Sequence, residues 1–232
     1  MNNIYKNGTY VRLNPTWHVE DSAWKADHIC SILRNNGVSF HSAAEVGCGA
    51  GIILKELSKI YEDAKFYGYE ISPDAMKLWI EDNPRVRFSS KDFHAEERTF
   101  DVLLVIDVLE HIEDYIGFLK RIRNRANFFV FHIPLELSAQ QVIRDIQLHT
   151  RATYGHIHYF SKATALATLL DTGFHVVDYF YTNANKQYAS IHSDLRMKMV
   201  NMVRDVLFSF SPDLTVKLLG GYELMILAKA RE

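Results

Sequence analysis

The stretch Ala44-Glu45-Val46-Gly47-Cys48-Gly49-Ala50-Gly51 places glycines at alternate positions, behind an apolar run and directly ahead of Ile52-Ile-Leu-Lys-Glu-Leu57. A strand that enters a glycine turn and then a helix brings backbone N–H groups and a helix N-terminus against a ligand. Glycine is needed there wherever a Cβ would block the turn or the approach. A nucleotide-like cofactor is the expected ligand, and a turn that serves packing alone is the plain alternative. Glu70 follows about twenty positions later, near the end of the next apolar run, where an acidic side chain can accept hydrogen bonds from ribose hydroxyls.

Outward from this turn, short β-rich runs alternate with stretches of helical period, the pattern of βαβ units around a parallel sheet. Strands are predicted at 42–48, 65–71, 86–90, 100–107, 127–134, 175–182 and 222–229. Phe100-Asp-Val-Leu-Leu-Val-Ile-Asp107 is nearly continuous in apolar residues and reads as a central strand buried on both faces. Helices are predicted over 21–36, capped by Asp21 or Ser22; over 50–61; over 72–82, with Ser72 as cap and Pro73 at the first position; over 113–124; and over 161–173, capped by Ser161 and closed at Gly173. Residues 135–159 are longer than an ordinary connection and read as an insertion that walls the substrate site. A second, mostly helical insertion is predicted at 183–217. Its amphipathic stretch, with Arg196, Lys198 and Arg204 beside Met197, Met199, Val200, Val203 and Leu207, is expected to pack on the sheet rather than on a membrane or partner.

The chain of 232 residues, 48% hydrophobic and 23% charged, is expected to form a single domain, residues 1–38 supplying a helical lid. Its 26 basic against 28 acidic residues leave a net charge of -2, which argues against a nucleic-acid partner. No signal-peptide core or membrane-span-length apolar run is present, so the expected location is cytoplasmic. Cys30 and Cys48 are too few for a disulfide framework or zinc knuckle and read as plain thiols.

The spacing of these features resembles the class I S-adenosylmethionine-dependent methyltransferases. The acidic-x-Gly-x-Gly-x-Gly pattern is matched by Glu45, Gly47, Gly49 and Gly51, and Ile52 stands where a dinucleotide dehydrogenase carries its third glycine or an alanine. Glu70-Ile71, Asp92-Phe93 and the stretch Asp107-Val108-Leu-Glu-His-Ile112 follow in order, the last being similar to ubiquinone-type O-methyltransferases. The resemblance implies a Rossmann-like, seven-stranded, mostly parallel sheet flanked by helices, with helical insertions forming a substrate lid. It also implies S-adenosylmethionine as cofactor and S-adenosylhomocysteine as product. On this reading Gly47, Cys48 and Gly49 bring backbone under the methionine and ribose portions, Glu45 fixes the loop near the ammonium group, and Glu70 holds the ribose. Asp92 and Phe93 lie beside the adenine; Asp107 and Val108 end the fourth strand at the ligand crevice. A looser likeness to polysaccharide-pathway methyltransferases comes from Asn14-Pro-Thr-Trp-His-Val-Glu-Asp-Ser-Ala-Trp-Lys-Ala26 and Gly155-His-Ile-His-Tyr-Phe-Ser-Lys162.

Methyl transfer to a hydroxyl needs alignment and removal of a proton, and eleven histidines offer candidates. His111, His158 and His132 are the predicted catalytic residues: His111 or His158 as base, His132 and Tyr159 lining the pocket. His111 could equally cap a helix or bond a carbonyl. His156 and His158, with Glu136 or Asp145, make only a weak metal signal, and no metal is assigned. Trp17, His18, Trp24 and Lys25 read either as lid or as packing. The acceptor expected is a small polar molecule, a sugar, sugar nucleotide or glycan-linked group, methylated at oxygen or nitrogen. A quinone or aromatic hydroxyl, or a cofactor-binding module without catalysis, are the alternatives. Whether the protein is a homodimer is open.

Overall fold

A computed structural model describes residues 4–5, 7–183 and 195–231. One seven-stranded sheet forms its centre. The strands are β1 (Ser42–Val46), β2 (Lys65–Tyr69), β3 (Val86–Ser89), β4 (Phe100–Ile106), β5 (Ala126–Pro134), β6 (Phe174–Thr182) and β7 (Glu223–Ala230), in spatial order β3-β2-β1-β4-β5-β7-β6. β7 alone runs antiparallel, between β5 and β6. The predicted Rossmann-like sheet is therefore present, and all seven predicted strands are found.

β4 explains why its sequence is uninterrupted in apolar residues. Period-two alternation sends Leu103 and Val105 to one face and Val102, Leu104 and Ile106 to the other, and both faces are covered. On one face lie α2 (Ser22–Asn35), following the single helical turn α1 (Thr9–Leu13), and α3 (Ile52–Ile60), burying Ile29, Ile32, Leu33, Leu54 and Leu57. The one-turn α4 (Pro73–Met76) follows β2, and α5 (Tyr115–Ile122) packs on the opposite face through Phe118, Leu119 and Ile122. The 135–159 segment contains α6 (Ala139–Ile143) and α7 (Ile146–Thr153). α8 (Lys162–Asp171) begins with the expected Ser161 cap, reciprocated by Thr164.

Three local expectations fail for identifiable reasons. Neither Asp21 nor Ser22 caps α2; the Asp21 carboxylate lies 3.2 Å from the Lys25 ammonium instead. Ser72 does not cap α4, because its hydroxyl donates to Tyr5 O at 2.8 Å. The helix predicted over 72–82 stops after one turn. Beyond it the Trp79 indole N–H is turned to Gly49 O at 2.9 Å, and its ring stacks on Phe88.

The second predicted insertion lies partly outside the described residues. Within them are α9 (Leu195–Phe210) and α10 (Pro212–Leu219). α9 meets the core through Phe208, whose ring stacks on Tyr222 and contacts Tyr181 of β6, while Met199, Met202, Val203, Val206, Leu207 and Phe210 are exposed, Phe210 by 84%; the side chains of Met197 and Val200 lie outside the described residues. Among the described residues no helix is long and apolar enough to cross a membrane.

Candidate active site

The carboxyl ends of β1, β2 and β4 open into a cavity of about 800 Å³, at the point where the strand order reverses. The glycine turn forms its floor, and the three glycines meet different needs. A Cβ on Gly51 would overlap the Phe88 ring, and one on Gly47 would lie 3.0 Å from Val108 Cγ2. Gly49, at φ +53°, has only Trp17 Cε3 near that direction, at 3.9 Å. Two glycines thus answer to packing, while the third keeps an open side toward the cavity. The turn is held by its own polar groups: Gly47 and Cys48 N–H donate to Tyr69 O, and Gly51 N–H to Cys48 O.

Every residue assigned to cofactor binding from the sequence, Glu45, Gly47, Cys48, Gly49, Gly51, Glu70, Ile71, Asp92, Phe93, Asp107 and Val108, lines this cavity. Glu70 accepts from Gly49 N–H at 3.0 Å through Oε2, and from Ile71 and Ser72 N–H, both at 2.7 Å, through Oε1. A carboxylate has about four acceptor positions, so this one is locked in place with capacity to spare. Glu45 is buried on β1, and its Oε2 has no hydrogen-bond partner. Burial pushes its carboxyl well above the ordinary range; Lys25 opposes this only in part. Asp92 serves its turn as well as the cavity, accepting from His94 N–H at 2.9 Å. Cys48 is buried, with its thiol pushed up by burial, and its Sγ would lie 2.7 Å from a Cβ on Gly68. Its size is its evident contribution.

Asp107, at φ +52°, joins α2 to β5. Its carboxylate lies 2.8 Å from Lys25 Nζ and 2.7 Å from His132 Nδ1. His132 Nε2 in turn lies 2.9 Å from Thr182 Oγ1 and 3.2 Å from a Glu223 oxygen. Burial alone would raise the Asp107 pKa, yet Lys25 and His132 hold it below the usual carboxylate range. Burial likewise opposes charge on His132, and Asp107 with Glu223 hold its pKa above the ordinary value. This corrects the sequence reading of His132. It is fully buried and does not line the cavity, and reaches it only by its contact with Asp107.

His111 and His156 do line the cavity, from the short turn after β4 and from the end of the first insertion. Their rings lie 4.9 Å apart. His158 and Tyr159 fall outside it: His158 Nε2 turns toward Glu113 O at 3.2 Å, and Tyr159 bonds the carbonyls of Gln147 and His156. The pairing of His156 with His158 is thus replaced by His156 with His111. Sequence reading missed Tyr5, Tyr10 and Glu110 as cavity residues, and had Glu136 only as a companion of His156 and Tyr154 only as an aromatic near the lid. Glu110 stood inside the quoted motif, but only the fold shows that it faces inward. Tyr5, Tyr10, Trp17 and His18 place the N-terminal segment over the opening, while none of the described residues of 195–217 reaches it.

The chain belongs to the methyltransferase-domain family, whose model matches residues 33–179. The match takes in β1 through most of β6, and with them the whole glycine turn. Among solved structures, the magnesium protoporphyrin IX methyltransferase of Synechocystis PCC 6803 with bound S-adenosylhomocysteine superposes with TM-score 0.60 at 16% identity, over 90% of this chain and 83% of that one. Coclaurine N-methyltransferase bound to N-methylheliamine and S-adenosylhomocysteine gives 0.62 at 15% identity, over 90% and 72%. Phosphoethanolamine N-methyltransferase 2 of Haemonchus contortus, in complex with S-adenosylmethionine, gives 0.58 at 15%, over 88% and 52%. No curated protein matches the chain by sequence.

Proposed function

We propose that the cavity binds S-adenosylmethionine across the glycine turn and that the protein methylates an oxygen or nitrogen of a small polar acceptor, such as a sugar, a sugar nucleotide or a glycan-linked group. The observation that carries this reading is continuity. One cavity joins the Glu45, Glu70 and Asp92 end to the wall made by Tyr10, Trp17, His111, Tyr154 and His156. A donor and an acceptor can therefore lie end to end in it.

The donor end suits this cofactor. Glu70 has acceptor capacity left for ribose hydroxyls, the unpartnered oxygen of Glu45 calls for a cation such as the ammonium group, and the open side of Gly49 admits close approach. Solved relatives hold S-adenosylmethionine or its product. Once bound, the sulfonium supplies an electrophilic methyl group. The protein's part is to aim the acceptor and exclude water. His111 is poorly matched to act as base, since burial and the neighbouring His156 lower its pKa to about 3, far from neutrality.

An aromatic hydroxyl is a second reading, favoured by the rings of Tyr5, Tyr10, Trp17 and Tyr154 on the acceptor wall. Incubation with methyl-labelled cofactor and parallel sets of glycosides, sugar nucleotides and phenols distinguishes the two. Label in the phenol set alone would overturn the sugar assignment; label in neither, with the cofactor bound, would point to an acceptor outside both. His111→Ala is expected to lower turnover by about a hundredfold with cofactor affinity intact, through misplacement of the acceptor rather than loss of a base. His158→Ala should stay close to the parent rate.

A further inference from the structure

Glu110 is the least explained side chain in the cavity. It is 1% exposed, both carboxylate oxygens lack a hydrogen-bond partner, and it faces the two cavity histidines. A buried carboxylate left unpaired is costly, and such groups are normally paired or bound to a metal. Glu110, His111 and His156 each present one donor atom, and these lie within 4.8 Å of one another.

The ring orientations are consistent with ligation. Tyr5 Oη directs its one proton to Tyr154 O at 2.6 Å, so at 2.8 Å from His111 Nδ1 it is the acceptor and the ring carries its proton on Nδ1. His156 Nδ1 lies 2.8 Å from a Glu136 oxygen, which fixes that ring in the same way. His111 Nε2 is then left to face Glu110, 3.8 Å from its Oε1, and His156 brings a ring nitrogen within 4.8 Å of both. A carboxylate or carbonyl behind a ligating imidazole is the usual outer shell of a metal site; Glu136 stands so behind His156, and behind His111 stand the Tyr5 hydroxyl and, at 3.4 Å, Gly155 O.

We propose that Glu110, His111 and His156 form a binding site for one divalent transition-metal ion on the acceptor side of the cavity, with Tyr5 and Glu136 as positioning residues. Two imidazoles and one carboxylate suit Zn²⁺, Mn²⁺, Fe²⁺ or Co²⁺ better than Mg²⁺ or Ca²⁺, which prefer all-oxygen shells. Ligand atoms about 2.1 Å from an ion lie closer together than these do, so binding draws the three side chains inward by rotamer-scale movement. Three protein donors leave positions open for an oxygen of the acceptor, which the ion would hold and polarise. This last step rests on the methyl-transfer reading; the site itself does not. A second trio, His18, Glu20 and Asp21, is the weaker candidate, because Glu20 is exposed and Asp21 is held by Lys25.

The test is titration of chelator-treated protein with Co²⁺, followed by visible absorption, and with Zn²⁺, followed by calorimetry. One equivalent is expected to bind at micromolar or tighter affinity. Glu110→Gln, His111→Asn and His156→Asn should each weaken it by about a hundredfold, and Glu136→Gln by about tenfold. His158→Ala should leave it unchanged. Absence of binding to the parent protein, equal binding in the Glu110, His111 and His156 variants, or loss in His18→Ala instead would each overturn the proposal. S-adenosylhomocysteine titrated into the same samples reports on folding and on the cofactor reading separately. If a ligand variant fails to bind it, the milder Glu136→Gln, with its tenfold effect, decides. Metal binding without S-adenosylhomocysteine binding in the parent protein would count against the methyl-transfer reading alone.

Discussion

Glu70 is fixed by three backbone N–H groups before any ligand arrives, so its remaining acceptor capacity is already oriented. Removing the carboxylate both deletes that acceptor and frees the three donors. Glu70→Ala is expected to weaken S-adenosylhomocysteine by about a hundredfold, the worth of a charged hydrogen bond or two, whereas Glu70→Gln should retain part of the affinity by keeping an acceptor oxygen. Calorimetry on both variants checks the order; equal affinity in all three proteins would remove Glu70 from the cofactor site. Glu70 was legible because a fixed chain distance separates the end of one parallel strand from the turn of its neighbour. Glu110 was not. Its significance lies in what it fails to touch, and that follows from the insertion at 135–159 folding back over the turn after β4.

At the scale of elements, α2, β4, β5 and β7 are stitched together by Lys25, Asp107, His132 and Glu223, with Asp21 and Thr182 at the ends. His132 has a raised pKa, so its contribution to stability is complete below its ordinary value of 6.5 and is lost as pH rises through the folded-state value. Asp107 has a depressed pKa, so its contribution is present above its ordinary value of 3.8 and is lost as pH falls below it. Thermal stability should therefore be greatest between these limits. Asp107→Asn leaves Lys25 and His132 short of a counter-charge in a buried setting. The expected cost is about 3 kcal/mol, or a fall in Tm of roughly 6–12 °C for a chain of this size, with a flatter pH profile. An unchanged profile would mean that the network is not coupled to folding.

The same scale marks where sequence patterns reach and where they stop. β4 announced its burial on both faces through a nearly continuous apolar run, and Ser161 announced the start of α8 through a side chain that accepts from Thr164 N–H, within its own first turn. Ser72 and Asp21 carried the same cap chemistry, but partners distant in space, Tyr5 O and Lys25, claim them. The helix at 72–82 was cut short in a similar way, by the pull of Trp79 onto Gly49 and Phe88. Local propensity yields when a tertiary hydrogen bond and a stacked ring compete with it.

For the whole molecule, the cavity draws on the N-terminal segment, the sheet and the first insertion together, so ligand binding should stabilise all three. At a hundred times its Kd, S-adenosylhomocysteine is expected to add about 2.7 kcal/mol, raising Tm by roughly 5–10 °C. Differential scanning fluorimetry reads this directly. The order of strands and helices could be read from the chain because each βαβ unit is local. The first insertion could be read as a wall from its length, but the placement of the second could not. The first lines the cavity, while the described part of the second seats Phe208 on the core and presents Met199, Met202, Val203, Val206, Leu207 and Phe210 to solvent.

Parallel calorimetric titration of the protein with S-adenosylhomocysteine, S-adenosylmethionine and NAD, repeated on Glu70→Ala, bears most directly on the function proposed for the cavity. Micromolar binding of both sulfur compounds, lost in the variant and absent for NAD, is the predicted result. Binding of NAD alone, or of none of the three, would contradict the assignment of the glycine turn to S-adenosylmethionine.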